Sequence, residues 1–502
     1  MAIVLLSCPQ VKWCPAMSSY HVLSNNAPRP AQAVRLRDYQ TDLVSDLRRA
    51  LRKCRRVLVQ SSTGSGKTAI ASFITAEAEA RGKRVYFNCH RTELVEQTSL
   101  TWRKYGIPHG FIAAGRPVTQ SFANVCSIDT LKNRLLTTPE PDIAIWDECH
   151  HLGAAGWQMV MDAWPNSIHI GLTATPWRLD GSGLGRQFGE MVQGPTPAWL
   201  IEHGFLSQYE MFAPFAPDMT GVRKIGSDYA RGEASARMDM PKRTGDIIKH
   251  WRQHAYGLKT LAFAINIGDS RMIVDRFNEA GIRAAHLDSD THKDERKRIF
   301  KQFAQGGYDI VSNVGLFGEG LDLSALAQTE VTIDCLIDAA PTQSLSAYLQ
   351  RCGRVLRAKE YPAIILDHAG NSARHGFPDD DRDWTLADRE RSGKGGSEGG
   401  TPPPFTCECF RQIRRPLPPT CPHCGASLAV KTKEIETAEG ELKKLTAEDK
   451  VALRAERKLE EHKAKTLGEL VALGSRRGYA SPTTWAFKKW SSSAARRSRS
   501  VG

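Results

Sequence analysis

No apolar run in this chain of 502 residues approaches the ~18 residues that a membrane-crossing helix needs, which sets aside the integral membrane classes. The stretch Met1–Cys8 has only about five apolar residues and no basic residue ahead of them, short of the roughly 7–15 of a signal peptide. It reads as the start of an extension over 1–34. Acid is in deficit. Lys and Arg number 68 against 55 Asp and Glu, so the net charge is +13, a balance that favours an anionic partner such as nucleic acid. No disulfide framework is visible. Of 12 cysteines, Cys8, Cys14, Cys54, Cys89, Cys126, Cys149, Cys335 and Cys352 are scattered, while Cys407, Cys409, Cys421 and Cys424 crowd together. Scattered thiols with one metal-type cluster suit a reducing cytoplasm. There is no repeat of solenoid period and no nuclease constellation.

What is present begins with alternation. Val57–Val59, Val85–Phe87, Ile143–Ile145 and Ile168–Leu172 read as buried strands, with helices over Thr68–Arg81 and Thr92–Tyr105 between them. The pattern restarts after about Leu200 with Thr260–Ala264, Arg283–Leu287 and Ile310–Ser312, and helices over 270–280 and 293–305. Such alternation predicts α/β architecture with parallel sheets, here in two lobes over 35–199 and 200–375. An acidic and glycine-rich stretch over 376–404 reads as a solvated linker, 405–428 as a zinc knuckle, and 429–502 as a basic helical region.

The sharpest local motif is Ser61-Ser-Thr-Gly-Ser-Gly-Lys-Thr68, between a predicted strand and a predicted helix. Thr63, Gly64, Ser65 and Gly66 would aim backbone N–H groups at phosphate oxygens. Lys67 would reach the β- and γ-phosphates, and Thr68 would hold Mg²⁺. One departure is Ser61, where such loops carry glycine. Downstream, Asp142-Ile-Ala-Ile-Trp-Asp-Glu-Cys-His150 delivers Asp147 and Glu148 at the end of a strand, where ligands gather in open α/β sheets. Asp147 would bind Mg²⁺ and Glu148 would orient the attacking water. The pair alone is common; with the phosphate loop it reads as an ATPase.

With these motifs in order, the chain resembles the superfamily-two helicases of DEAD/DEAH type. Leu36-Arg-Asp-Tyr-Gln40 is similar to the adenine-reading segment, with Arg37 and Gln40 as its contacts. Asn88–Gln97 and Ser127–Leu131 resemble first-lobe strand-gripping motifs, and Asp147-Glu-Cys-His150 is a DECH box. Thr173-Ala-Thr175 looks like the element coupling ATP state to movement. Ser312–Asp322 resembles the fifth motif, with Gly320 and Asp322 near the nucleotide. Gln350-Arg-Cys-Gly-Arg-Val-Leu-Arg357 resembles the sixth, with Gln350, Arg354 and Arg357 catalytic. If that segment is helical, Arg354 and Arg357 share a face. Within the superfamily the likeness is greatest to RadD-like and XPB-like DNA helicases of phage or prophage type. It implies ATP and Mg²⁺, two RecA-like lobes, and nucleic-acid contacts from Arg91, Thr130 and Ser312. DNA is favoured over RNA.

Cys407-x-Cys409 and Cys421-x-x-Cys424 suit tetrahedral Zn²⁺, although the first half is one residue short of the usual spacing and His423 is an alternative ligand. Basic pairs interleaved with Tyr479, Trp485 and Trp490 suit nucleic acid. The same aromatics also suit a small helical core, and the region leaves room for a protein partner. The expected activity is an ATP-dependent DNA helicase or translocase in the cytoplasm. An RNA helicase on the same motor, or a binding module without unwinding activity, is the alternative.

Overall fold

A computed structural model of the chain describes residues 33–388, 404–428 and much of 459–490, apart from short segments of which 318–330 is the longest. Two compact units divide at residue 429/430. The first holds both α/β lobes and the cysteine cluster.

Lobe 1 is a seven-stranded parallel sheet. Its strands are β1 (Arg56–Gln60), β2 (Val85–Cys89), β3 (Gly110–Ile112), β4 (Ala123–Ser127), β5 (Ile143–Asp147), β6 (Ile168–Thr173) and β7 (Glu190–Gln193). The order is β3-β4-β2-β5-β6-β1-β7. Nearly every side chain of β1, β2, β4 and β6 is buried, because helices cover both faces of a parallel sheet and leave no wet side. Val57, Val59, Phe87 and Ile170 feed one core, while Leu58, Tyr86, Trp146 and Phe188 feed the other. The strand sequences therefore read as continuous apolar runs. The order places β5, β6 and β1 side by side, so three motifs emerge together at their carboxyl ends.

Lobe 2 begins with β8 (Tyr209–Phe212) and a small hairpin, β9 (Lys224–Ile225) with β10 (Asp228–Tyr229). Its main sheet adds β11 (Thr260–Phe263), β12 (Ala284–Leu287), β13 (Ile310–Asn313), β14 (Cys335–Asp338) and β15 (Ala363–Asp367). The order is β12-β13-β11-β14-β15-β8, again parallel. The helix Leu345–Val355 starts at Ser344, whose hydroxyl accepts from the Ala347 N–H and supplies one of the orphan N-terminal bonds. The expected two-lobe α/β fold is thus observed. β16 (Phe405–Thr406) and β17 (Gln412–Ile413) form the hairpin that carries the first two clustered cysteines.

The second unit contains the helix Leu467–Arg476, capped by Thr466. Leu470, Leu473 and Ala486 form its core, with Trp485 and Trp490 packed against them. Arg477 pairs with Glu460 and Glu461, and Lys489 with Glu461. Those two tryptophans are core residues and part of the positive charge is internally paired; Tyr479 lies outside the described residues. Among the described residues, no helix is long and apolar enough to cross a membrane.

Candidate nucleotide site and inter-lobe cleft

The phosphate loop joins β1 to the helix Lys67–Glu79. Gly64 and Gly66 both have φ near +85°, a left-handed backbone that strains any residue with a Cβ. At Gly66 a Cβ would also stand 2.5 Å from Gln40 Nε2. Ser61, the departure from glycine, is fully buried and its hydroxyl lies 2.7 Å from that of Ser65. The serine thus braces the loop from inside. Lys67 donates to the carbonyls of Ser61 and Ser62 at 3.1 and 3.3 Å. Gln40 donates to the Ser65 carbonyl at 2.8 Å and accepts from Arg37 N–H at 3.0 Å. It therefore lies behind the loop and ties the adenine-type segment to it. Arg37 instead reaches the cavity wall, 5.1 Å above the ring of Phe205.

The carboxylates come from the next strand but one. Asp147 ends β5. Burial pushes its carboxyl up to about 7, and Glu148 adds to the rise while Lys67 opposes it. Glu148 sits at φ +47°, costly for a residue with a side chain and of a kind held where the surroundings over-determine it. Its carboxylate lies 3.4 Å from His150 Nδ1. His150 Nδ1 is in turn 3.2 Å from Thr173 Oγ1. Thr173 Oγ1 donates to the Thr175 carbonyl, and Thr175 Oγ1 donates to Ser346 Oγ in lobe 2 at 2.8 Å. A chain of polar contacts therefore runs from the water-orienting carboxylate across to lobe 2. The sequence offered His150 only as part of the DECH box and gave no signal for Ser346.

Lobe 2 approaches with the helix Leu345–Val355. At Gly353 a Cβ would stand 2.3 Å from Thr63 Cγ2 of the phosphate loop, so glycine sets how near the helix can come. Arg354 donates through Nε to the Phe317 carbonyl at 2.9 Å. The helix ends at Val355, with Leu356 as its cap. Arg357 therefore does not share a helix face with Arg354 as its spacing suggests; it forms a β-bridge with Leu206. Both arginines still line one cavity of about 410 Å³ with Thr63, Gly64, Gly66, Lys67, Thr68, Asp147, Glu148 and Gln350. Gln350 is 2% exposed, and its Nε2 is buried without a hydrogen-bond partner among the described residues. A donor orphaned on a cavity wall is what an anionic ligand would satisfy. The Asp147 carboxylate and the Thr68 hydroxyl, on residues that line the same cavity, are oxygen donors of the kind that suits Mg²⁺.

Residues 33–178 match the family described as "Type III restriction enzyme, res subunit", and residues 243–359 match "Helicase conserved C-terminal domain". A "51.5 kDa protein" of a Lactococcus phage is 33% identical over 330 residues, 65% of this chain and 68% of that protein. The chain belongs to the superfamily-two helicases. The helicase is also 28% identical to the "Putative ATP-dependent helicase IRC3" of Saccharomyces cerevisiae, over 67% of this chain; it spans about half of that relative, 52%. It is 24% identical to the "DNA 3'-5' translocase XPB2" of Sulfurisphaera tokodaii, over 66% of this chain and 81% of that protein. Membership makes it an ATP-hydrolysing enzyme that acts with nucleic acid.

The expected strand contacts of the helicase are placed differently from one another. Arg91 donates to the Leu316 carbonyl of lobe 2 at 3.2 Å. Near it, Arg296 of lobe 2 pairs with Glu93 of lobe 1 at 3.0 Å. Thr130 is half-buried in the helix Ile128–Arg134. Ser312 is fully buried, and its hydroxyl is 2.7 Å from that of Ser270. Ser270 continues to His286 and Asp288. Ser312 therefore turns its hydroxyl into the lobe. Gly318, Gly320 and Asp322 lie outside the described residues. Arg351 is structural, bonded to Asp338 and to the Ala340 carbonyl.

The cysteine cluster docks on the free edge of the lobe-2 sheet. Ala213 N–H donates to the Phe410 carbonyl, and Arg411 bridges Phe212 and pairs with Glu210. The four sulfurs lie within 4.8 Å of one another, with Cys407–Cys424 and Cys409–Cys421 both at 3.7 Å. Tetrahedral bonds of ~2.3 Å require sulfur separations of about 3.8 Å, so the residues fit zinc. Burial would raise the Cys421 thiol, but N–H groups of Cys424 and His423 hold it down at about 7. His423 is turned away, its ring edge-on to Phe212 at 5.0 Å.

Proposed function

We propose that this helicase is an ATP-driven motor on DNA, which separates strands or moves along them. The observation that carries the reading is the shared cavity. Lys67, Asp147 and Glu148 come from lobe 1, and Gln350, Arg354 and Arg357 from lobe 2. ATP held on lobe 1 would meet the arginines only when the lobes are together. When bound, Mg²⁺ would neutralise charge on the phosphates. Lys67 would hold the phosphates, Glu148 would orient the water, and Arg354 and Arg357 would stabilise charge on the transferring group. The chain Glu148–His150–Thr173–Thr175–Ser346 would tie the hydrolytic state to the grip between lobes. Support for DNA comes from the net charge of +13 and from the relative named as a DNA translocase.

The test is steady-state ATPase with no nucleic acid, single-stranded DNA, duplex DNA and RNA, at low and moderate salt. Stimulation by DNA that weakens with salt is expected. Stimulation by RNA alone would replace the substrate assignment, and no turnover under any condition would overturn the motor.

We also assign structural zinc to Cys407, Cys409, Cys421 and Cys424. Four thiolates leave no open position for chemistry. Elemental analysis should find one zinc per chain, lost in Cys421→Ser. Wild-type protein purified under reducing conditions with no zinc, and unable to take it up, would sink the assignment.

A further inference from the structure

We propose that residues 377–388 are an inter-lobe strap that holds the lobes in register and positions the lobe-2 arginines before nucleic acid binds. This rests on the reading that ATP is hydrolysed in the cleft. The composition of this segment reads as a solvated linker, and the structure departs from that. At its start the segment is pinned to lobe 2. Asp380 is 5% exposed and accepts from Phe377 N–H at 2.7 Å. Arg382 reaches back to the carbonyls of His375, Phe377 and Asp380 at 3.2, 2.7 and 2.8 Å. Arg414 of the cysteine cluster pairs with Asp379 and Asp380. Two acidic residues of the run are therefore spent on internal pairing.

Two residues later the chain lies on lobe 1. The Trp384 ring packs on Trp177 with centroids 4.8 Å apart, and its carbonyl accepts from Gln193 Nε2 at 3.0 Å. The Leu386 carbonyl accepts from Gly185 N–H at 2.8 Å. Its side chain packs against the lobe-1 core that contains Leu184 and Phe188. Asp388 accepts from Gly183 N–H at 2.9 Å. The seat is cut to the backbone: a Cβ on Gly183 would stand 2.1 Å from the Leu386 carbonyl oxygen.

From Arg382 to Trp384 is two residues, which span at most about 7 Å when extended. With both ends pinned, the lobes cannot part at this edge unless one anchor releases. Opening must pivot about the strap. Trp177 lies two residues after Thr175, and Trp384 lines a recess with Thr175, Trp177 and Ser346. The latch thus touches the wall where lobe 1 meets lobe 2. Holding the lobes together in advance removes the reduction in apparent affinity that a sparsely populated competent state imposes.

The experiment uses the full chain with Gly183→Leu and Trp384→Ala, made separately and checked for folding by thermal melting. Dyes on non-natural residues at the exposed positions Leu136 and Tyr256 report the inter-lobe distance without ATP. Both variants should broaden that distance distribution. Their KM for ATP without nucleic acid should rise about tenfold, as for a competent fraction of one tenth. kcat at saturating ATP and DNA should stay within about twofold. An unchanged distance distribution in both variants overturns the strap, and so does a broadened one with an unchanged KM. The distance arm needs no turnover, so a wild type unable to hydrolyse ATP would sink the functional reading separately.

Discussion

Glu148→Gln should cut ATP turnover by ~10²–10⁴-fold, the range for loss of a positioned general base, while ATP still binds. The carboxylate is held at φ +47°, 3.4 Å from His150, on the wall of the cavity that contains Lys67. The glutamine keeps the shape and removes the charge. Lys67→Ala should instead lose both binding and turnover, because Lys67 is the cation at the centre of the phosphate loop. Its amine now rests on the Ser61 and Ser62 carbonyls, 3.1 Å or more away, and is near enough to exchange them for phosphate oxygens. Steady-state ATPase with a fluorescent nucleotide binding assay separates the two variants. Full turnover by either would remove these residues from the site.

Arg357→Ala should lower kcat by about 10³-fold, the lower end for an arginine offered to a transferring phosphoryl, with nucleotide binding to lobe 1 largely retained. Gly353→Val should act in the same direction without touching any charge. Its side chain would enter the space of Thr63, where even a Cβ would sit 2.3 Å from Cγ2. The clash exists only when the lobes are together, so the variant should bind ATP and fail to complete the cavity. Single-turnover measurements with DNA present give the chemical step directly. A Gly353→Val protein with wild-type kcat would mean that the lobes need not approach as closely as seen here.

The phosphate loop, the DECH box and the strand pattern were legible because each is local. A glycine at φ near +85°, a run of buried strand residues and two carboxylates at a strand end have short-range signatures in residue type and spacing. The cysteine cluster was legible for the same reason. The four sulfurs lie within 4.8 Å of one another, while His423 packs on Phe212, which favours the four-cysteine set in the proposed zinc assignment. Arg354 and Arg357 both line the cavity with the phosphate loop, but the helical argument for them failed because Leu356 ends the helix between them.

By itself, then, the sequence determined two parallel α/β lobes and the motifs of an ATP-hydrolysing helicase. Only the tertiary structure decided which groups meet. Strand order set β5, β6 and β1 side by side. Closure placed Thr175 on Ser346 and Gly353 on Thr63. Burial turned the Ser312 hydroxyl inward, and the seat at Gly183 and Gly185 drew an acidic segment back across to lobe 1. The physical reason is range. Propensity and periodicity act over a turn or a strand, whereas these contacts join residues as far apart in sequence as Thr63 and Gly353 and depend on shapes that exist only once both lobes have folded.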